Sequence, residues 1–375
     1  MDSGLRVLLS TVLCLSQLLI ISCSSQYPAL RSEPTSVVQT PGSAVHLQCL
    51  VNPPSAAVSW RFRGLPLDQD TLPGVELGRD SLIISSLTPD HAGIYQCVAR
   101  LGHGPAVASR LARVALAEIS EYEVGRRRPL SAEEGGTVVI ECPLPHSSPP
   151  ARPRLRIRGD WIEESRDNYL ILPSGNLQII SVSAQQQGMY KCGAVNPVTG
   201  EAVHSQPLTL ECVVSGSPAP AAKWFKNGKE VTVGPSHQTQ HNNLAFVRLM
   251  RSDEGRYSCR AETERGTLIS PDYTVNVLEP ASVVDGLDNQ LVPFGSSAHF
   301  TCAARGNPSP NITWLFNAEP VAPSQRCQIS GSSLVIADVT PQDEGVYQCL
   351  LDNGIGSAQS HGILTVQSGM NASAA

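Results

Sequence analysis

Gly-x-Tyr-x-Cys occurs four times in this chain, as GIYQC (Gly93 to Cys97), GMYKC (Gly188 to Cys192), GRYSC (Gly255 to Cys259) and GVYQC (Gly345 to Cys349). Each closing cysteine follows a leucine by 15 residues (Leu82, Leu177, Leu244, Leu334) and another cysteine by 47 to 50 (Cys49, Cys142, Cys212, Cys302). Three spacings repeated four times define an internal repeat, so the chain is a series of four like units. The 29 prolines and 30 glycines, with few strong helical patterns, favour strands and turns over helices.

Trp60, Trp224 and Trp314 follow the first cysteine of their units by 11 or 12 residues. This Cys…Trp…Tyr-x-Cys layout is that of an immunoglobulin-like sandwich. There a disulfide joins strands B and F across two sheets, a tryptophan on strand C packs against it, and the tyrosine ties the corner between strands E and F. The expected fold is all-β, four tandem immunoglobulin-like sandwiches, with bonds Cys49–Cys97, Cys142–Cys192, Cys212–Cys259 and Cys302–Cys349. Cys327 is left unpaired, either buried and inert or free to form an intermolecular bond. Residues 1–25, one arginine ahead of a short apolar run ending in small residues, read as a secretory signal peptide. The domains are then 26–117, 118–207, 208–278 and 279–368, with a short tail at 369–375.

Two units depart from the pattern. An aspartate six residues before the second cysteine, able to steady the E–F corner by hydrogen bonds or a charge pair, is present as Asp253 and Asp343, but His91 and Gln186 stand there in the first two units. The second unit also lacks the strand C tryptophan. Leu155 and Ile157 are expected to fill its core, with Trp161 further on, either a surface anchor or filling between strands.

The junction between the second and third units is short. Cys97 to Cys142 is 45 residues and Cys259 to Cys302 is 43, but Cys192 to Cys212 is 20. Once NPVTG turns the F–G hairpin and LTLECVV forms strand B, no residues remain for strand A of the third unit and a linker. At about 3.3 Å per residue, a missing strand of about seven residues leaves roughly 23 Å unbridged. Either the second unit gives up its last strand or the third is displaced sideways against it, and both expose a strand edge. A deletion relative to the usual design and a compact two-domain fusion are the two readings of this junction.

Several short motifs qualify as sites. In ARPRLRIRGD, Arg152, Arg154, Arg156 and Arg158 alternate with apolar residues, so strand periodicity puts the arginines on one face and Leu155 and Ile157 on the other. With Arg126, Arg127 and Arg128 upstream, that ladder is suited to sulfated glycans such as heparan sulfate, or is simply a charged sheet face. Arg158-Gly159-Asp160 spells an integrin-type tripeptide at a strand end, a weak match. Asn311-Ile312-Thr313 and Asn371-Ala372-Ser373 are N-glycosylation sequons. A net charge of −6 without a long block of one sign argues against nucleic acid as partner. Motifs of metalloproteases, α/β-hydrolases and P-loop enzymes are missing from the sequence, so no catalytic residue, cofactor or metal is expected. His237 and His241 would lie about 13 Å apart in an extended segment, too far to share an ion.

The stretch RGDWIEESRDNYLILPSGNLQIISVSAQQQGMYKCGAVNPVTG (residues 158–200) resembles the ectodomain of the CDON and BOC family of cell-surface receptors, as do YTVNVLEPASV, HFTCAARGNPSPNITWLFNAEP and DEGVYQCLLDNGIG further on. The resemblance covers nearly all of the mature chain, and the fourth unit is closer to CDON. It implies a non-catalytic adhesion or co-receptor ectodomain, acting with Hedgehog receptor and cadherin-associated complexes in myogenic differentiation and axon guidance. In that family fibronectin type III domains, which this chain lacks, bind Hedgehog, so no residue here inherits that role. The implied location is the outer face of the cell membrane if a transmembrane helix follows. If the chain ends at Ala375, a secreted form acting as decoy or heparan-sulfate-binding factor is the alternative. The junction between Cys192 and Cys212 departs from the family, whose members have a full-length crossing there.

Overall fold

The computed structural model describes residues 27–121, 130–198, 208–212, 214, 220–263 and 266–367. The proposed signal segment, Arg126 to Arg128 and Asn371 lie outside the described residues. The chain divides into two compact units, Met1–Leu116 with Leu278–Ala375, and Ala117–Val277. The first holds domains 1 and 4, the second domains 2 and 3. No helix among the described residues is long and apolar enough to cross a membrane.

Domain 4 shows the full pattern. Strands B, E and D (Ala298–Thr301, Ser333–Ile336, Cys327–Ser330) form one sheet, and strands A′, G, F, C and C′ (Gln290–Pro293, Ser357–Gln367, Gly345–Asp352, Asn311–Phe316, Glu319–Pro320) form the other. Alternate residues of each strand point between the sheets, so Phe300, Leu334, Ile336 and Tyr347 surround the Cys302–Cys349 bridge, with Trp314 beside it. Domain 1 repeats this arrangement around Cys49–Cys97 with Trp60, Leu47, Leu82 and Tyr95.

Register identifies equivalent positions. The strand C residue opposite the second cysteine is Trp60 in domain 1, Trp224 in domain 3 and Trp314 in domain 4, and in domain 2 it is Leu155. Leu155 is 2% exposed, so it takes the tryptophan's place, and Ile157 packs beside it. The replacement is smaller. The cluster around Cys142–Cys192 holds only Leu155, Leu177 and Ile179 as further fully buried members.

All four E–F corners have the same hydrogen bonds. Tyr95, Tyr257 and Tyr347 donate their hydroxyls to the carbonyls of His91, Asp253 and Asp343 at 2.8, 2.8 and 3.0 Å, and Tyr190 donates to Gln186 O. Burial pushes the Tyr95 hydroxyl up to about 12, with Arg63 opposing, so it remains a donor. The residue six before the cysteine caps the single helical turn in every domain. Asp253 and Asp343 accept from the backbone N–H of Met250 and Thr340 at 2.7 and 2.8 Å, Gln186 Oε1 from Ser183 at 2.8 Å, and His91 Nδ1 from Thr88 at 3.0 Å. The amide and the imidazole thus serve as acceptors where carboxylates do in domains 3 and 4. Asp343 also forms a charge pair with Arg326 at 2.6 Å, and Asp253 lies 3.2 Å from His237 Nε2.

Domain 3 is described from Leu208 onward, and its B–E–D sheet (Thr209–Leu210, Asn243–Phe246, His237–Gln240) has no strand A among the described residues. Residues 199–207, where strand G of domain 2 and strand A of domain 3 would have to lie, are outside that set. Domain 3 lies alongside domain 2. Asn243 donates to Gln178 Oε1 at 3.3 Å with both side chains buried, and the Glu211 carboxylate accepts from Ser174 N–H at 3.3 Å and Asn176 Nδ2 at 3.5 Å. Gln178 belongs to strand E of domain 2 (Leu177–Ile179), where its neighbours point into the core. Its amide therefore faces outward and is covered by domain 3, and the buried polar pair satisfies itself.

Candidate functional site on the outer sheet faces

In each domain the residue just after the strand C core position points away from the core, as does the residue just before the second cysteine. Those register pairs are Arg61 with Gln96, Arg156 with Lys191, Phe225 with Ser258 and Leu315 with Gln348. The four faces built on them have different fates.

In domains 1 and 4 the faces bury each other. Gln348 is fully buried and its amide reads the backbone of Ala108 on both sides, accepting from its N–H at 2.8 Å and donating to its carbonyl at 2.9 Å. Arg61 donates to Ala318 O at 2.8 Å and pairs with Glu319 at 2.5 Å. Val98, Ala106 and Ala108 of domain 1 pack against Leu315, Ala318 and Leu350 of domain 4. At the rim Leu111 N–H donates to Ser357 Oγ at 3.1 Å, and the Glu33 carboxylate receives Gln359 Nε2 at 3.4 Å. His361 stands opposite Gln348 on strand G. Burial holds its imidazole below its ordinary value, with Glu33 partly offsetting. A groove of about 170 Å³ remains between the two domains, lined by Val38, Ile94, Arg113 and Ile355 among others.

In domain 3 the outer face is open but internally matched. Arg260 stacks on Phe225 with its guanidinium carbon 4.2 Å from the ring centroid, Lys223 pairs with Glu230 at 3.3 Å, and Arg256 pairs with Asp272.

In domain 2 the outer face carries the basic ladder. Strand C is Arg152–Ile157, so Arg152 and Arg156 are exposed and Arg154 half-buried, with Leu155 and Ile157 on the core side. Arg158 leaves the ladder: its φ of +52° places it with Gly159 in the two-residue turn to strand C′ (Asp160–Ile162), where its guanidinium donates to Gln185 O. Arg158, Gly159 and Asp160 are all exposed at this hairpin tip. Trp161 pairs with Arg156 across strands C and C′ and is 39% exposed. Its indole lies over Gly193, where a side-chain Cβ would stand 2.5 Å from Cζ3. The Arg154 and Arg156 guanidinium carbons stand 4.3 and 6.0 Å from its ring centroid. Trp161 therefore acts as a surface wedge between two arginines.

The other sequence candidates are separate. Asn311 is exposed at the start of strand C of domain 4. Cys327 is a half-buried free thiol packed on the domain 4 core. His237 is engaged by Asp253, and His241 sits in the following turn with φ +49°. Among the described residues no group of His, Cys, Asp and Glu could hold a metal. Sequence reasoning missed the contact between domains 1 and 4, because neither the small apolar side chains nor Gln348 marks its own partner.

Comparison with known proteins agrees with this architecture. The immunoglobulin I-set domain matches residues 281–366, and a second immunoglobulin domain model matches 28–100 and 197–263. The mouse protein "Cell adhesion molecule-related/down-regulated by oncogenes" is 40% identical over 385 aligned residues, covering 93% of this chain and 31% of that protein. Human "Brother of CDO" is 38% identical, covering 94% of this chain and 34% of its own length. The chain thus spans about a third of the curated relatives it matches. Among solved structures, the N-terminal four immunoglobulin domains of Dscam1 isoform 6.9 superpose with a TM-score of 0.71 at 22% identity, covering 91% of this chain and 99% of theirs, which shows the shared fold. The matched residues make this chain a tandem array of immunoglobulin domains, similar in sequence to cell-adhesion molecules.

Proposed function

We propose that the chain serves as the membrane-distal, non-catalytic part of a CDON-type adhesion co-receptor, contributing to Hedgehog reception, myogenic differentiation and axon guidance by protein contacts on the cell surface. The observation that carries this reading is the 40% identity sustained over 93% of the chain with an adhesion molecule. The buried contact between domains 1 and 4 supports it, because that contact makes one body of segments about 160 residues apart in the chain. A preordered body binds a partner at a lower ordering cost than a flexible one. Cadherin-associated and Hedgehog receptor complexes are the proposed partners.

The test is a domain exchange. Cells lacking the endogenous co-receptors would receive the membrane-anchored relative with its own immunoglobulin segment replaced by this chain. A restored Hedgehog reporter response and restored co-precipitation with cadherin are the expected results. Surface expression without either would overturn the reading.

A further inference from the structure

We infer that the outer face of domain 2, centred on Arg152, Arg154, Arg156 and Lys191, binds a linear sulfated glycan of the heparin type. The inference is independent of the co-receptor reading, since a secreted or an anchored form would present the same face.

Strand geometry sets the array. Residues two apart on strand C recur about every 6.6 Å, so Arg152, Arg154 and Arg156 form a row, and Lys191 on strand F lies directly beside Arg156. Four positive charges thus share one side of a three-stranded sheet in a chain whose formal net charge is −6. None of the four is within ion-pair distance of a carboxylate among the described residues.

What holds the arginines in place is Trp161. With Gly193 leaving room beneath it, the indole crosses strand C and stacks on Arg154 at 4.3 Å. A π face orients a guanidinium without neutralising it. Anionic oxygens are the natural complement of such ordered guanidinium forks.

The other three faces argue against an ordinary charged surface. Arg61 of domain 1 is used by Glu319, domain 3 pairs Lys223 with Glu230 and Arg256 with Asp272, and domain 4 presents Leu315 and Gln348 at the same register. Among the described residues, the domain 2 face gathers four cations without a carboxylate partner, against Arg260 on the face of domain 3. A row of charges at regular spacing matches a polymer that repeats its anionic groups along one axis.

The experiment measures affinity of the whole chain for immobilised heparin by surface plasmon resonance at 0.15 M salt. The triple variant R152Q/R156Q/K191Q changes exposed residues only, and a charge-matched control, R31Q/K229Q/R248Q, removes three exposed cations elsewhere. The triple variant is expected to lose affinity about tenfold or more, the control little, and Trp161→Ala to fall between them. Desulfated heparin and single-stranded DNA are expected to bind weakly. Absence of heparin binding by the parent chain, an equal loss in triple variant and control, or equal binding of desulfated heparin or DNA would each overturn the inference.

Discussion

Arg156 in domain 2 and Leu315 in domain 4 occupy the same place in the same strand, one residue past the core position and opposite the residue before the second cysteine. Leu315 is 3% exposed because domain 1 covers it, whereas Arg156 stays in water beside Lys191 and Trp161. One sheet face therefore serves as glue in domains 1 and 4 and as an open, charged surface in domain 2. The lesson is that the immunoglobulin frame fixes where an outward side chain points, and only the partner decides what that side chain is worth.

Placing aspartate at both positions would break or sharpen this comparison. Leu315→Asp buries an unpaired carboxylate and is expected to cost roughly 2–5 kcal/mol, enough to part domain 1 from domain 4, read as a rise in distance between fluorophores on the two domains. Arg156→Asp should leave thermal stability within about 0.5 kcal/mol. Equal effects at the two sites would erase the distinction drawn here.

A gentler break targets the wedge. Gly193→Val drives a side chain into the Trp161 ring and is expected to destabilise domain 2 by about 1–3 kcal/mol, with a red shift of tryptophan emission as the indole is displaced. An unchanged spectrum would mean the ring does not lie over Gly193.

The corners come next. His91→Ala removes the acceptor for Thr88 N–H and is expected to cost about 1 kcal/mol, while Gln186→Ala should cost a similar amount in domain 2, both measured by chemical denaturation. A much larger cost at Asp343 than at His91 would show that the charge pair with Arg326 outweighs the cap. The Asp343 carboxyl is pushed up by burial, but the bonds from Thr340 and Arg326 outweigh this and hold it below its ordinary value. Its contribution is therefore present above about pH 4 and lost as pH falls through the lower folded value.

The smallest expected effect is at His361. Burial keeps its imidazole below the ordinary value of 6.5, so the unfolded or parted state takes up the proton first. The joined state of domains 1 and 4 is then fully favoured above about pH 6.5 and weakens as pH falls below it. The same fluorophore pair should report a modest acid-induced separation that His361→Gln removes.

Much of this molecule is readable along the chain. The recurrence of Gly-x-Tyr-x-Cys located the four F strands, and alternation along RPRLRI separated Leu155 and Ile157 from the arginines. Both are properties of a single strand, with a period of two. His91 and Gln186 depart from the aspartates of domains 3 and 4 as residue types, and residue types are all that a one-dimensional reading compares. In space an imidazole nitrogen and an amide oxygen reach the same N–H.

The sequence by itself determined the strand frame, the core residues and the sidedness of the basic ladder, since each follows from spacing within about 50 residues. Tertiary structure alone decided which outer faces are buried. Gln348 meets Ala108 across 240 positions of chain, and Trp161 reaches Gly193 across a strand that carries neither. Such contacts depend on shape and on the burial of small apolar surfaces, and neither leaves a periodic mark in the order of the residues.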